Sequence, residues 1–113
     1  HYTLMILLPE VVGDDDVAAA LAALRAKRGD RAEFGGLRLE RFAEGRCAQV
    51  MHIGPYDAEP GTMADLPAFL STEGLTDLVG PQGGKHHEIY LSDPGRTSPE
   101  KLKTILRHPV APA

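Results

Sequence analysis

Apolar positions along this chain change their period several times, and each change marks an expected element. Tyr2–Glu10, "YTLMILLPE", is a nearly unbroken apolar run closed by Pro9, the pattern of a largely buried strand. In "GDDDVAAALAALRAKRGD", Val17, Ala20, Leu21 and Leu24 recur at i, i+3, i+4 and i+7 and form one helical stripe. Asp14, Asp15 and Asp16 lie at the positive end of that helix dipole, Lys27 and Arg28 at the negative end, and Gly29 can cap it. Residues 36–54 read as a hairpin turning at Glu44-Gly45. In its second arm Cys47, Gln49, Met51 and Ile53 share one face, and Ala48, Val50 and His52 share the other. Both faces are mostly apolar, which predicts a central strand. A loop, "GPYDAEPGT", follows.

Met63, Leu66, Phe69 and Leu70 then return to helical spacing and stop at Gly74. Pro67 is compatible with that helix only in its first turn. "TDLVGPQGGK" reads as a connector and "HHEIYLSD" as a strand. "SPEKLKTILRHP" reads as a terminal helix with Ser98 as N-cap, Pro99 first, a stripe of Leu102, Ile105 and Leu106, and Pro109 as the stop. The expected order is strand, helix, strand, strand, helix, strand, helix. That order predicts the α+β class, an antiparallel sheet with helices on one face.

Composition narrows the function. At 113 residues the chain is expected to form a single domain, residues 1–113. A formal net charge of −4 and the lack of any Lys/Arg cluster argue against a nucleic-acid surface. The longest apolar run is too short to span a bilayer, and it lacks the flanks of a signal peptide. Cys47 is the one cysteine, so no internal disulfide forms and a reducing cytoplasm is the expected location. Position 1 is histidine rather than methionine, as expected of a processed chain or of one whose N-terminal part precedes it.

Candidate chemistry concentrates in "KHHEIYLSD". Strand alternation puts His86, Glu88 and Tyr90 on one face and His87, Ile89 and Leu91 on the other. A glutamate between two rings on a strand would be partly desolvated. It could meet a cation, or hold a raised pKa and act as a general acid or base. The competing reading is an ordinary solvated strand face. Zinc is disfavoured, because neighbouring strand residues point apart and no CxxC or HExxH spacing occurs, although His52 could contribute from another strand. No cofactor is expected. "HIGPYD" is the second candidate, since a Gly-Pro-Tyr turn fixes the Tyr56 ring where it can stack on a planar ligand or simply plug the sheet edge. "GPQGGK" lacks Walker spacing, Cys47 reads as an inert thiol, and no Ser-His-Asp grouping is indicated.

In combination, "HIGPY", "KHHEIYLSDP" and "KLKTILRHPV", with the opening "YTLMILLPE", resemble the GyrI-like small-molecule-binding family, from about Tyr2 to Val110. That family is related to the effector-binding domains of multidrug-sensing regulators. The resemblance implies two strand-helix-strand-strand modules with a ligand cleft between them, of which this chain looks like the C-terminal half. The opposite wall would then come from a missing N-terminal half-domain or from a second copy in a homodimer. It further implies that Glu88 reaches into the cleft to meet lipophilic, planar, cationic small molecules. Tyr56 lines the cleft, and Tyr90, His86 and His52 are nearby ligand-binding candidates. Some members resemble hydrolases that open the cyclopropane rings of DNA-alkylating natural products with a glutamate and a tyrosine. Glu88 and Tyr56 would be the catalytic pair in that case. Three functions follow as alternatives: drug binding for sensing, sequestration or protection; detoxifying hydrolysis; and a purely structural half-domain. An ionised Glu88 would favour cation binding, and a raised pKa would favour catalysis.

Overall fold

The computed structural model describes residues 1–113, which divide into two compact units, His1–Phe42 and Ala43–Ala113. The first contains α1 (Asp14–Arg28), whose Gly13 N–H donates to Asp16 Oδ2 at 2.9 Å and whose Gly29 N–H returns to the Arg25 carbonyl at 2.8 Å. Three aspartates and three basic residues occupy opposite ends of the helix, as its dipole favours. Val17, Leu21 and Leu24 are half-buried, whereas Ala20 is exposed, so the expected stripe is only partly covered. A 3-10 turn over Ala32–Gly36 follows.

Two expectations fail in this region. Tyr2–Glu10 is not a buried strand: it forms no ladder, and Ile6 and Leu7 are 87% and 97% exposed. An apolar run becomes a strand only when another backbone takes its N–H and C=O groups, and none does here. The hairpin across Glu44-Gly45 is also absent, because residues 37–43 make no strand.

The second unit holds the sheet. Its elements are β1 (Cys47–Ile53), a 3-10 turn over Tyr56–Ala58, α2 (Glu59–Met63), α3 (Leu66–Glu73), β2 (Leu75–Asp77), β3 (His87–Tyr90), a 3-10 turn over Pro99–Lys101, and β4 (Lys103–Pro112). All ladders between these strands are antiparallel and involve β4: β1 pairs with it from Cys47↔Pro109 to Ile53↔Lys103, β3 from His87↔Arg107 to Tyr90↔Thr104, and β2 from Leu75↔Pro112 to Asp77↔Val110. β1, expected to be central, is therefore an edge, and β4 is the strand that everything else needs.

β4 corrects the largest misreading, the terminal helix. Leu102, Ile105 and Leu106 satisfy helical spacing, but Leu102, Thr104, Leu106, His108 and Val110 also alternate, and all five are buried. Neighbouring strands on both sides decide the conflict in favour of the alternation. Pro109 does not stop the element. It falls between the stretch paired with β3, which ends at Arg107, and the stretch paired with β2, which begins at Val110, so little ladder bonding is lost. Ser98 and Pro99 do open a helical turn, a short 3-10 one.

Directly opposed residues share a face. One face therefore carries Ala48, Val50 and His52 from β1, the buried row of β4, Glu88 and Tyr90 from β3, and Leu75 and Asp77 from β2. The core packs there: Leu70 of α3 meets Ala48 and Val110, with Leu66 and Leu75 beside them. Pro67 occupies the first turn of α3, where its missing N–H costs nothing, and Gly74 ends the helix in the left-handed region. This unit is α+β with both of its helices on one face of an antiparallel sheet.

Candidate functional site

Beyond β1 the chain must turn sharply onto the helix layer. Gly54 makes that turn with φ of 137°, a value L side chains rarely adopt, and its N–H donates to the Leu102 carbonyl at 2.9 Å. Buried His52 holds the turn from beneath. Its Nε2 donates to the Pro55 carbonyl at 2.8 Å, and its Nδ1 accepts from the Thr62 hydroxyl at 2.6 Å. Both ring nitrogens are thus occupied within the protein. The 3-10 turn that follows presents Tyr56, and one helical turn later Glu59 opens α2 on the same side.

The Tyr56 ring meets Tyr90 of β3 edge-on, with centroids 5.7 Å apart. The Tyr90 hydroxyl donates to Glu88 Oε2 at 2.5 Å, and His86 Nε2 lies 3.0 Å from Glu88 Oε1. His86, Glu88 and Tyr90 therefore stand on one face, as strand alternation predicts, and Glu88 meets both of the others. The same bond pushes the Tyr90 phenol up to about 12, with burial adding to it, so Tyr90 is a hydrogen-bond donor and not an acid at neutral pH.

Sequence reasoning missed Glu59, which stands beside Glu88. Burial raises its pKa, and the neighbouring Glu88 carboxyl raises it further, against the opposing pull of His52 and His86. Its Oε1 is buried without a hydrogen-bond partner. For Glu88 burial also pushes upward, but hydrogen bonding with Tyr90, Glu59 and His86 outweighs it and its pKa falls below the ordinary value. The pair is thus split, with Glu88 favouring the ionised form and Glu59 the neutral one. The i, i+3 spacing of Tyr56 and Glu59 was the available signal, hidden inside a segment read as loop.

An open, mostly apolar cleft of about 240 Å³ adjoins this group, with Val50, Met63, Leu66, Phe69, Leu106 and His108 among its walls. Neither Glu88 nor either tyrosine lines it. The connection runs across the sheet, where Val50, Leu106 and Glu88 are opposed in one row. Thr104, fully buried between His52 and Tyr90 in the ladder, has a hydroxyl with no partner. No group of three or more His, Cys, Asp or Glu side chains converges as metal ligands would. Cys47 is half-buried, with its thiol 3.6 Å from the Gly45 carbonyl. No helix is long and apolar enough to cross a membrane.

A model of the GyrI-like small molecule binding domain matches residues 12–111. The chain belongs to this family. Three crystal structures from Listeria innocua are similar to it. An uncharacterized conserved protein shares 44% identity with a TM-score of 0.84, over 92% of this chain and 50% of that one. A hydrolase shares 42% identity with a TM-score of 0.81, over 92% and 52%. A second hydrolase structure shares 42% identity with a TM-score of 0.79, over 92% and 50%. The chain therefore spans about half the length of these solved relatives. No curated protein matches it.

Proposed function

We propose that residues 1–113 form one half-domain of a GyrI-like site that binds a lipophilic, planar, cationic small molecule, serving drug sensing, sequestration or protection. The observation that carries this reading is Glu88. It is an ionised carboxylate held by Tyr90 and His86 at the end of a row that begins in an apolar cleft. A charge so placed complements a cation, while Tyr56 and Tyr90, both partly exposed, offer ring faces and edges for stacking. His52 supports the Tyr56 turn in this reading rather than touching ligand. The opposite wall comes from a second half-domain, either in the same polypeptide or in a second copy. Relatives of twice the length support this, and so do the exposed Tyr56, Tyr90 and Phe69.

Hydrolysis is the second reading, favoured by Glu59. A carboxyl whose pKa is raised beside one whose pKa is lowered is the kind of pairing that acid–base chemistry uses. In opening an activated cyclopropane, water would give a proton to Glu88 and its oxygen would bond to a ring carbon. The ring C–C bond would break, and its electron pair would move into the conjugated carbonyl oxygen, hydrogen-bonded by Tyr56 and protonated by Glu59. Proton return from Glu88 to Glu59 restores the pair, with one water added overall. The buried Glu59 Oε1 and Thr104 hydroxyl have unused hydrogen-bonding capacity beside the pair. Two relatives described as hydrolases support this reading.

The test is titration of the chain with tetraphenylphosphonium, wild type against Glu88→Gln, alongside mass analysis after incubation with a cyclopropane-bearing alkylating compound. Saturable binding weakened at least about tenfold by the substitution supports the binding reading. Product heavier by one water, lost in the variant, makes the site hydrolytic. Neither result from wild type would leave the half-domain structural.

A further inference from the structure

Glu88 is one end of a hydrogen-bonded chain that runs away from the ligand face. His86 Nε2 meets Glu88 Oε1 at 3.0 Å, His86 Nδ1 meets His108 Nε2 at 2.7 Å, and His108 Nδ1 meets Asp77 Oδ2 at 2.8 Å. The two imidazoles are perpendicular, with centroids 4.9 Å apart. His108 is buried in β4, and Asp77 ends β2 with its side chain 35% exposed. None of this follows from the β3 strand alone. The tertiary pairing brings β2, β3 and β4 together on one face.

Counting hydrogens gives the chain a direction. Three contacts need three hydrogens, but two neutral imidazoles between two carboxylates supply only two. Asp77 Oδ1 already accepts the Val79 N–H at 2.9 Å, which favours an ionised Asp77 with Oδ2 accepting from His108 Nδ1–H. His108 Nε2 is then an acceptor, and His86 must donate through Nδ1. That leaves His86 Nε2 facing a carboxylate, a contact that closes only with one additional proton. The carboxylate at this end is Glu88, whose other oxygen accepts from Tyr90 and which has the Glu59 carboxyl of α2 beside it.

We propose that Asp77 and His108 are positioning residues that point the hydrogen-bond chain away from Glu88 and so hold one extra proton at the His86–Glu88 contact. The site then carries its own exchangeable proton. A cation that takes over Glu88 releases that proton, and a substrate that needs one receives it. The inference concerns the site of the proposed function, but its readout requires no ligand, so a failure to bind or hydrolyse the probes leaves it standing or falling on its own.

The test is NMR of the imidazole nitrogens in the full chain at neutral pH, comparing wild type with Asp77→Asn. In the variant the amide oxygen must keep the Val79 N–H, so the amide NH₂ faces His108 Nδ1 and reverses the chain. Wild type is expected to show His108 protonated at Nδ1 and His86 protonated at both nitrogens. Asp77→Asn is expected to move the His108 proton to Nε2 and to remove one proton from His86, leaving it on Nε2. A second variant, His108→Phe, cuts the chain and is expected to free His86 Nδ1 from its fixed donor role while Tyr90 still binds Glu88. His108 protonated at Nε2 in wild type, or tautomers unchanged in Asp77→Asn, would overturn the assignment.

Discussion

His86 and His87 are neighbours in sequence, yet they serve two carboxylate clusters on opposite faces of the same strand. On the face of β3 that carries Ile89, His87 Nδ1 meets Glu44 Oε1 at 2.7 Å, and Arg107 donates to Glu44 Oε2 at 3.0 Å and to Gln49 at 2.8 Å. Burial pushes the Glu44 pKa up, but hydrogen bonds and charge from Arg107 and His87 outweigh it and leave the pKa lowered. One carboxylate there has a guanidinium and an imidazole, and its charge is satisfied locally. On the other face two carboxyls share an imidazole and a phenol, with no arginine or lysine bonded to either. The difference separates a structural tie, which pins residues 44–49 to the sheet, from a carboxylate whose partners are an imidazole and a phenol and which a ligand cation can take over.

The largest effect expected from breaking this contrast is on the ligand face. Replacing Glu88 by Gln removes the counter-charge and is expected to cost about ten- to a hundredfold in affinity for a lipophilic cation, measured by calorimetric titration. The same isosteric change at Glu44 should leave that affinity unaltered. Next comes stability. Glu44→Ala leaves Arg107 and His87 without their partner, and thermal melts are expected to show a loss of about 1–2 kcal/mol, modest because all three groups are partly exposed.

Smaller effects follow from pH, and the two faces are expected to respond with opposite sign. Glu44 has a lowered folded pKa, so its contribution is present above the ordinary value of 4.5 and is lost as pH falls through the folded value. Glu59 has a raised folded pKa, so its contribution is present below 4.5 and is lost as pH rises through the folded value. Melts across acidic to neutral pH should therefore lose acid-side dependence in Glu44→Gln and gain stability toward neutral pH in Glu59→Gln. The smallest expected change is Tyr90→Phe, which removes one acceptor bond from Glu88. It should raise the Glu88 pKa without unfolding the chain, read from the carboxyl-carbon shift.

Part of this was legible from the residues and part was not, for physical reasons. Period-two alternation correctly grouped His86, Glu88 and Tyr90, because this stretch is extended and pairs with β4. The same rule sorted the faces of β1. It failed for β4, where "LKTILRHPV" satisfies two periods and only pairing with β1, β2 and β3 selects one. That single error hid His108, which on a helix would have no reason to meet His86. Asp77 was hidden likewise, because a three-residue strand inside a connector is invisible without its partner. Glu59 escaped because a 3-10 turn leading into a short helix reads as loop, and its chemistry comes only from the carboxylate beside it. Local pattern supplied the members of the site that lie on one strand. The members that tune them arrive through tertiary pairing.

The account rests on two neighbouring carboxyls whose pKa values are pushed in opposite directions. Its most direct test is a pH titration of the Glu59 and Glu88 carboxyl-carbon NMR shifts, with Glu59→Gln and Glu88→Gln used to assign each signal. The account predicts that Glu88 titrates below 4.5 and Glu59 above it, and that removing Glu88 brings Glu59 down toward the ordinary value. Two carboxyls that titrate together near 4.5, each indifferent to loss of the other, would contradict it.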